Sequence, residues 1–514
     1  MRKPVQQFAQ RACMSAQIQA RCIACVVVGM IGVGRAVEPV HAGEVELAFN
    51  APKTFYFPEP FFPTMFRTRD LDQDGFVDVV VAGRDPDDRL ITLKGVGDGS
   101  FVPLQTMLAE GFTDWLELAD LDGDGRDDIV SAWRGDDARV VAYRGLPSGQ
   151  FAAPTVLASV ETGTMRDPQG VTVGDFDGDG DLDIAIASYI GHSVEVFSNE
   201  RPAGQVALAF ERTSRVRMSQ FFGGYGFPRV LTSGDLDGDG DIDLVANELG
   251  GSRVAVIRNE GGRFVRAVEY RAPLIGTERP GITAVELLDI DSDGDLDAYA
   301  PSLVLDTTQK IVWFRNDGTG RFDARIPGDS TLVGYIFAAK LADLDSDGDL
   351  DSIAGSALPG AITVSRRTAD GSFDFVVDRV FELGSLIRHV DAVDYDNDCD
   401  LDIMVVDGPG RFLQTRRNIT PQKNPPCGGV AASRATGSRD ELSVDDDGRK
   451  SRGEVRFPLA RLDRNDDGSF DASDLAVWLA GISMRVEPFG ATPASSRTQV
   501  GTPTDSKRRA GGTP

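Results

Sequence analysis

Short segments in which apolar and polar residues alternate recur along the chain, each beside a cluster of aspartates. One example is "GVTVGD" (170–175) before a cluster and "DIAIAS" (183–188) after it. The same pairing recurs in "LTSGD" (231–235) with "DLVAN" (243–247) and in "AAKLAD" (338–343) with "DSIAG" (351–355). Alternation with many β-branched residues is typical of β-strands. The pattern therefore predicts one strand before and one strand after each cluster.

Two more strand-like segments follow each pair. The third segments are "RVVAYRG" (139–145), "SVEVFSNE" (193–200), "RVAVIRNE" (253–260), "KIVWFRND" (310–317) and "AITVSRRT" (361–368). A G-x-F turn, starting at residues 99, 149, 262, 320 and 371, opens the fourth segment. Four antiparallel strands in about 50 residues are typical of one blade of a β-propeller.

Each acidic cluster is a nine-residue loop of the form D-x-D-x-D-G-x-x-D, and the loop occurs seven times. The first aspartates of successive loops are separated by 50, 55, 60, 54, 54 and 51 residues, which is the regular spacing of a repeat architecture. The seven copies predict an all-β, seven-bladed propeller. The aspartates at loop positions 1, 3, 5 and 9 are Asp70, Asp72, Asp74 and Asp78; Asp120, Asp122, Asp124 and Asp128; Asp175, Asp177, Asp179 and Asp183; Asp235, Asp237, Asp239 and Asp243; Asp289, Asp291, Asp293 and Asp297; Asp343, Asp345, Asp347 and Asp351; and Asp394, Asp396, Asp398 and Asp402.

The chemistry of these loops predicts calcium. The carboxylates at positions 1, 3 and 5, the carbonyl of position 7 and a bidentate aspartate at position 9 supply six to seven oxygens, a number that suits Ca²⁺ better than Mg²⁺. Six of the seven loops contain neither His nor Cys, which argues against zinc and copper. The alternative is that the D-G dipeptides only mark turns. We expect about seven Ca²⁺ ions in the propeller.

The two ends of the repeat region predict how the ring closes. The last repeat reaches "RFLQTRRN" (411–418), which matches a third strand, and has no fourth strand after it. The segment "ELAFNAPKTFYFP" (46–58) looks like a fourth strand with no blade before it. We expect this segment to complete the seventh blade, because closing the ring removes exposed sheet edges.

Taken together, the loops and the G-x-F turns resemble the FG-GAP/VCBS repeats, which also form the propeller of integrin α-subunits and occur in many exported bacterial proteins. The resemblance covers about residues 46–420, and we place the propeller domain at 43–420. It implies calcium on one rim of the propeller and a non-enzymatic role in binding or adhesion, with a protein or polysaccharide held by the other face.

The seventh loop departs from the pattern because Cys399 stands where glycine is expected. A side chain at that position is strained, which disfavours metal binding in this loop. Cys427 follows shortly after the last blade. We expect a Cys399–Cys427 disulfide that joins the chain exit to the ring; the alternative is two unpaired thiols.

The C-terminal part predicts a linker (421–455), a small calcium module (456–484) and a disordered tail (485–514). "LDRNDDGSFDASDLAVWLAGI" (462–482) holds a twelve-residue acidic loop followed by apolar residues at helical spacing. It resembles one EF-hand-like half of a dockerin, which implies one further Ca²⁺ and docking to a cohesin-like partner. The predicted ligands are Asp463, Asn465, Asp467, Asp471 and Asp474.

The N-terminus predicts export. Basic residues precede the apolar stretch 22–33, and a small-x-small pattern ends at Ala42, so residues 1–42 read as a secretory signal peptide. The alternative is an uncleaved membrane anchor. We expect a secreted or cell-surface protein with no membrane span after signal removal. The formal net charge of −27 argues against nucleic acid and anionic membranes as partners.

The sequence carries no catalytic constellation. It contains no G-x-S-x-G and no H-E-x-x-H pattern, and only His192 and His389 remain after signal removal. We therefore expect a binding protein rather than an enzyme. The alternative is a carbohydrate lyase or hydrolase built on a calcium propeller.

Overall fold

The fold is taken from a computed structural model, and every regular element in the part it describes is a β-strand. No described helix has the length and apolar character needed to cross a membrane. The predicted signal segment, nearly all of the linker, the C-terminal module with its five ligands, and the tail lie outside the described residues. The structure describes residues 46–84, 88–109, 111–134, 138–159, 167–201, 208–218, 228–248, 252–265, 267–274, 280–303, 311–326, 336–357, 360–368 and 374–421.

In the described part of the chain, twenty-nine strands form seven antiparallel sheets, one per predicted blade. Strand β1 (Lys53–Tyr56) precedes the first complete blade. Blade 1 contains β2 (Phe62–Arg69), β3 (Asp78–Arg84), β4 (Arg89–Gly95) and β5 (Phe101–Leu108). Blade 2 contains β6 (Phe112–Ala119), β7 (Asp128–Arg134), β8 (Arg139–Tyr143) and β9 (Thr155–Ser159). Blade 3 contains β10 (Pro168–Gly174), β11 (Asp183–Ser188), β12 (Ser193–Asn199) and β13 (Phe210–Arg217).

The remaining blades repeat the same order. Blade 4 contains β14 (Pro228–Gly234), β15 (Asp243–Glu248), β16 (Arg253–Ile257) and β17 (Val268–Arg271). Blade 5 contains β18 (Gly281–Ile282), β19 (Glu286–Leu288), β20 (Asp297–Leu303), β21 (Ile311–Asn316) and β22 (Phe322–Arg325). Blade 6 contains β23 (Ile336–Ala342), β24 (Asp351–Ser356), β25 (Ala361–Arg367) and β26 (Phe375–Glu382). Blade 7 contains β27 (Ile387–Val393), β28 (Asp402–Asp407) and β29 (Phe412–Arg416), completed by β1.

The predicted closure of the ring is confirmed. Strand β1 pairs antiparallel with β29, so that Lys53 lies opposite Thr415 and Tyr56 opposite Phe412. The seventh sheet has the order β1-β29-β28-β27, which makes the N-terminal strand its outermost member. This pairing covers the edge that β29 would otherwise expose.

Apolar side chains fill the space between neighbouring blades. The described residues form seven buried clusters, and each cluster joins two adjacent blades. In one of them Phe176 of blade 3 packs with Leu231 of blade 4. The cluster at the closure combines Phe66 of blade 1 with Met404 of blade 7. Because each cluster needs both of its blades, the ring is held by burial of apolar surface at every junction.

Two local features differ from the predicted repeat. The first strand of blade 5 is split into β18 and β19, whereas the first strands of the other six blades each carry a single register shift near their start. The interruption is therefore a larger form of an irregularity that all blades share. In addition, Phe151 and Phe264 of the G-x-F turns form isolated bridges ahead of β9 and β17 and do not start those strands.

A second connection between blades is a side-chain hydrogen bond from the end of a third strand. At four junctions an asparagine donates Nδ2–H to the carbonyl oxygen of loop position 2 in the preceding blade. At the junction of blades 5 and 6 an arginine takes this role: Arg367 Nη1 donates to the carbonyl oxygen of Ile290, which is loop position 2 of blade 5, at 3.0 Å. The four asparagine bonds run from Asn199 to Leu121 (3.0 Å), Asn259 to Phe176 (2.6 Å), Asn316 to Leu236 (2.8 Å) and Asn418 to Leu344 (2.8 Å).

The two junctions of blade 1 use a different bond. Gly95 and Gly145 occupy the asparagine position in blades 1 and 2, and a Cβ there would approach a backbone oxygen to 2.1 and 2.3 Å. At these junctions the amide at loop position 4 bonds to the next loop: Asn397 Nδ2 donates to Gly75 O at 2.5 Å, and Gln73 Nε2 donates to Gly125 O at 3.3 Å. A polar side chain thus links an acidic loop to the neighbouring blade at all seven junctions.

We expect the Asn316→Ala variant to lose about 1–3 kcal/mol of unfolding free energy, because the substitution removes a buried donor from the carbonyl oxygens of Leu236 and Leu296. Urea denaturation in saturating Ca²⁺ measures the loss. The exposed Thr106→Ala on β5 is the control and should unfold like the parent protein. Equal midpoints for Asn316→Ala and the parent would show that the bond does not stabilise the ring.

Candidate metal centres

All seven acidic loops lie on one rim of the propeller. Each loop connects the first strand of its blade to the second, so loop position 1 directly follows the first strand and position 9 begins the second. At six of the seven junctions the first strands of neighbouring blades contact one another around the axis. The repeated strand order therefore brings residues that are about 50 positions apart in sequence to equivalent places on the same rim.

The carboxylate at position 1 holds each loop in a tight curl. In the first loop Asp70 Oδ1 accepts the N–H of Asp74 at 3.0 Å, and its Oδ2 accepts the N–H of Gly75 at 2.9 Å. The loop of blade 6 repeats both bonds from Asp343 to the N–H groups of positions 5 and 6. These bonds turn the chain so that the side chains of positions 1, 3 and 5 face a common centre.

Two loop positions have a left-handed backbone. The six glycines at position 6 have φ between 85° and 96°, and an added Cβ would meet nothing within 4 Å, so glycine is favoured there by φ and not by space. Position 4 is also left-handed, with φ between 54° and 77°, and is occupied by glycine, serine, glutamine or asparagine. The sequence pattern predicts glycine at position 6 but gives no sign of the left-handed backbone at position 4.

Cys399 adopts the strained conformation that its place in the loop predicts. Its φ is 72°, and its N–H still bonds to Asp394 Oδ2 at 3.0 Å, so the seventh loop keeps the shape of the others. Cys399 is disulfide-bonded. Its predicted partner Cys427 lies outside the described residues, and the pairing of these two cysteines stays a prediction.

The aspartate at position 9 is buried in every loop and connects three parts of its blade. In blade 3 Asp183 Oδ2 accepts the N–H of Phe176 at loop position 2 (2.9 Å), and its Oδ1 accepts the N–H of Asn199 at the end of the third strand (2.7 Å). Burial raises the pKa of Asp183 to about 7, with the nearby Asp177 and Asp179 adding to the effect. A cation in the loop would offset this cost of burying negative charge.

The loops bring most of the predicted ligands together. Each of five groups of aspartates has one oxygen per residue within 4.8 Å of the others, and two further groups occur among the described residues. Each of the five groups contains the aspartates of loop positions 1 and 3, together with the aspartate of position 5 or of position 9. The groups are Asp70, Asp72 and Asp78; Asp120, Asp122 and Asp124; Asp175, Asp177 and Asp183; Asp235, Asp237 and Asp239; and Asp289, Asp291 and Asp297.

Unsatisfied oxygens at position 3 show that the loops fit a hard cation. Oδ1 of Asp291 and Oδ1 of Asp396 are buried without a hydrogen-bond partner, and these side chains are only 9% and 10% exposed. A buried carboxylate oxygen without a donor is costly, and oxygen ligands are those that Ca²⁺ prefers. The residues present therefore suit the ion that the sequence predicts.

Basic side chains from the third strands contact the carboxylates of loop positions 3 and 5. The sequence pattern did not predict these contacts. In blade 5 Arg315 Nε lies 2.6 Å from Asp291 Oδ2, and Arg315 Nη2 lies 2.9 Å from Asp293 Oδ2. The signal was available in the third segments, where a basic residue directly precedes the residue that bonds to position 9. These residues are Lys94, Arg144, Arg258, Arg315 and Arg417.

Family comparison agrees with the repeat seen in the fold. A model of the FG-GAP-like repeat matches residues 70–131, 120–186, 235–300 and 347–405, and a model of the FG-GAP repeat matches 168–208. The chain carries FG-GAP repeats. The matched segments span acidic loops and the strands that flank them, which are the residues that carry the resemblance in the sequence.

Solved structures similar to this FG-GAP propeller share little sequence with it. A chain in the crystal structure of BBS1N in complex with ARL6DN matches with 10% identity, 72% coverage of this chain, 96% coverage of that chain and a TM-score of 0.48. A lectin of Agrocybe aegerita that recognises non-reducing terminal N-acetylglucosamine matches with 20% identity, 63% and 80% coverage and a TM-score of 0.42. No curated protein matches the chain. No ligand or partner of this chain follows from these similarities.

A network of charged side chains lies at the axis of the FG-GAP propeller. Arg67 of blade 1 forms a bidentate pair with Glu117 of blade 2, at 2.9 and 2.7 Å, and stacks over the ring of Trp115. Nη1 of Arg67 also lies 3.4 Å from Nε2 of His389 in blade 7. The innermost strands are therefore joined by ion pairs as well as by apolar packing.

We expect His389 to make the propeller sensitive to acid. Burial, together with Arg67 and Lys340, lowers the pKa of His389 well below its usual value of 6.5. As pH falls, His389 is therefore protonated at a higher pH in the unfolded chain than in the folded one. The free energy of unfolding then declines below about pH 6.5, by up to about 1.4 kcal/mol per pH unit. The melting temperature between pH 7.5 and 5.5, in saturating Ca²⁺, measures the decline.

The His389→Gln variant should lose less stability over this pH range than the parent, whatever its stability at pH 7.5. The His192→Gln variant controls for loss of a histidine elsewhere and should keep the parental pH dependence. Parallel pH profiles for His389→Gln and the parent would rule out His389 as the cause.

Proposed function

We propose that this protein is an exported, calcium-stabilised binding module that holds a protein or polysaccharide without chemically changing it. The observation that carries the proposal is the set of seven acidic loops on one rim, each with a buried aspartate at position 9. Burial raises the pKa of these aspartates, to about 6 for Asp78 and about 7 for Asp128, Asp183 and Asp297. Ca²⁺ bound in the loops would supply the positive charge that this arrangement favours.

The opposite rim is the better candidate for recognition. It carries the connections from the fourth strand of one blade to the first strand of the next, and these vary in length from three residues (109–111) to ten (218–227). Loops of variable length on a repeated scaffold are where binding specificity is usually placed. One of the two ten-residue connections includes the sequence "SQFFGGYGF" (219–227), which lies outside the described residues and whose aromatic composition suits contacts with sugars or apolar protein surfaces.

A carbohydrate-active enzyme is the second candidate. The charges at the axis, where a propeller offers a shared space between blades, are engaged with one another: Arg67 pairs with Glu117, and Lys340 pairs with Glu286 at 2.5 Å and lies 3.8 Å from Asp391. This pairing favours a structural role for these carboxylates over acid–base chemistry. Docking of the C-terminal module to a cohesin-like partner remains a prediction from sequence.

We expect removal of calcium with EGTA to lower the melting temperature and to change the near-UV circular dichroism of the purified protein. A site with a dissociation constant of about 10⁻⁴ M stabilises the fold by about 2.7 kcal/mol when the free Ca²⁺ concentration is about 100 times that constant. Added Ca²⁺ should restore both signals, and equimolar Mg²⁺ should not. Unchanged signals, in a sample in which atomic spectroscopy detects no calcium, would refute the metal part of the proposal.

A screen of the calcium-loaded protein against immobilised and soluble polysaccharides tests the binding part. We expect retention on a column without shortening of the polymer, because the sequence contains neither a G-x-S-x-G nor an H-E-x-x-H motif. Size-exclusion chromatography of the recovered polysaccharide and a reducing-end assay detect cleavage. Calcium-dependent depolymerisation would replace the binding module with the enzyme.

A further inference from the structure

The acidic loops differ in whether a basic side chain of the same blade occupies them. In blade 1 the ammonium group of Lys94 contacts the carboxylates of Asp72 and Asp74. In blade 2 Arg144 Nε lies 2.5 Å from Asp122 Oδ2 and its Nη2 lies 2.7 Å from Asp124 Oδ2. In both blades the cation lies on positions 3 and 5, which are two of the predicted metal ligands.

The same arrangement occurs in three further blades. In blade 4 Arg258 pairs with Asp237. In blade 5 Arg315 pairs with positions 3 and 5, as described above. In blade 7 Arg417 Nε lies 2.9 Å from Asp396 Oδ2, and its guanidinium also contacts the position 5 carboxylate. A divalent ion entering these loops must displace the basic group or bind beside a like charge.

Blade 3 lacks this basic group. Ser198 stands at the position of the cation, and its Oγ bonds to Thr213 Oγ1 at 3.3 Å on the fourth strand. Arg201, two residues beyond Asn199, pairs with Asp181 at loop position 7 and also donates to the carbonyl oxygen of Asp122 in blade 2. Among the described residues, no basic side chain forms an ion pair with the position 1, 3 or 5 carboxylate of this loop, namely Asp175, Asp177 and Asp179.

We propose that the loop of blade 3 binds Ca²⁺ more tightly than the loops of blades 1, 2, 4, 5 and 7, in which Lys94, Arg144, Arg258, Arg315 and Arg417 act as internal counter-ions that weaken Ca²⁺ binding. In blade 6 the arginine at the equivalent position, Arg366, pairs with Asp378, and Arg367 pairs with Asp349 at loop position 7, so the comparison is made with the other five loops. The inference rests on the proposed calcium function. When Ca²⁺ is scarce, these five loops keep part of their charge balance from within the chain, whereas blade 3 depends on the metal and fills before them.

Isothermal titration calorimetry of the full chain with CaCl₂, after EGTA stripping and buffer exchange, tests the proposal, with native mass spectrometry counting bound ions. We expect at least one propeller site to be about tenfold or more tighter than the loops that hold a basic group, because a neighbouring unit charge repels Ca²⁺. The exposed Asp177→Asn substitution should reduce the number of tight sites by one. An Asp463→Asn variant, which targets the predicted C-terminal loop, should leave the tight propeller sites in place.

Removing a counter-ion gives the reciprocal test. Arg315→Ser should convert blade 5 into a second tight site, with affinity raised about tenfold or more. The control is Arg217→Ser, which deletes an exposed arginine of β13 opposite Ser193, at the end of blade 3 away from the acidic loops, and should change neither the number nor the affinity of the sites. Ser198→Arg should weaken the blade 3 site, and circular dichroism establishes that this variant is folded.

Three results would overturn the inference while leaving the calcium function intact. The first is propeller sites of equal affinity. The second is weaker binding after Arg315→Ser, which would make the arginine a support for the ligands. The third is a number of tight sites that Asp177→Asn leaves unchanged. Absence of any Ca²⁺ binding by the parent protein would instead remove the proposed calcium function, and the inference with it.

Discussion

The buried aspartate at loop position 9 is the constraint on which the rest of this propeller depends. Its two oxygens accept N–H groups from the start of the loop and from the end of the third strand, so a single carboxylate fixes the loop, the second strand and the third strand together. The same pair of bonds occurs in blade 7, where Asp402 accepts from Tyr395 and Asn418. An alanine at this position would leave both N–H groups without their acceptor.

This arrangement concentrates negative charge at the places where the blades are assembled. Burial is the main cause that raises the pKa of Asp402 to about 10, and the other acids of the loop add to it. Two sources of positive charge can offset the cost: a bound divalent ion, and basic side chains that the third strands deliver to the same rim. The strong acidity of the chain is thus a local property of seven loops as well as an overall property of its surface.

The ring is also linked through these loops. The residue whose N–H bonds to position 9 sends its side chain to the loop of the preceding blade at five junctions, and amides at loop position 4 link the two junctions of blade 1. Blade 1 lies next to the closure, where β1 completes blade 7. Polar hydrogen bonds and apolar clusters therefore both connect each blade to the next around the ring, and each acidic loop is hydrogen-bonded to its own blade and to a neighbouring blade.

The sequence by itself determined the all-β propeller, the number of blades, the closure by the N-terminal strand and the residues of the acidic loops, because each of these is written in a local pattern that repeats with a period. The tertiary structure alone decided what those loops meet. The contacts of Asn316 with Leu236 and of Arg315 with Asp291 join residues far apart in the chain, and no periodicity specifies which side chain at the end of a strand turns toward a loop. Left-handed φ at position 4 was likewise hidden, because serine, glutamine and asparagine stand there beside glycine. The carboxylates could be predicted because repetition marks them, whereas their partners depend on how neighbouring blades pack.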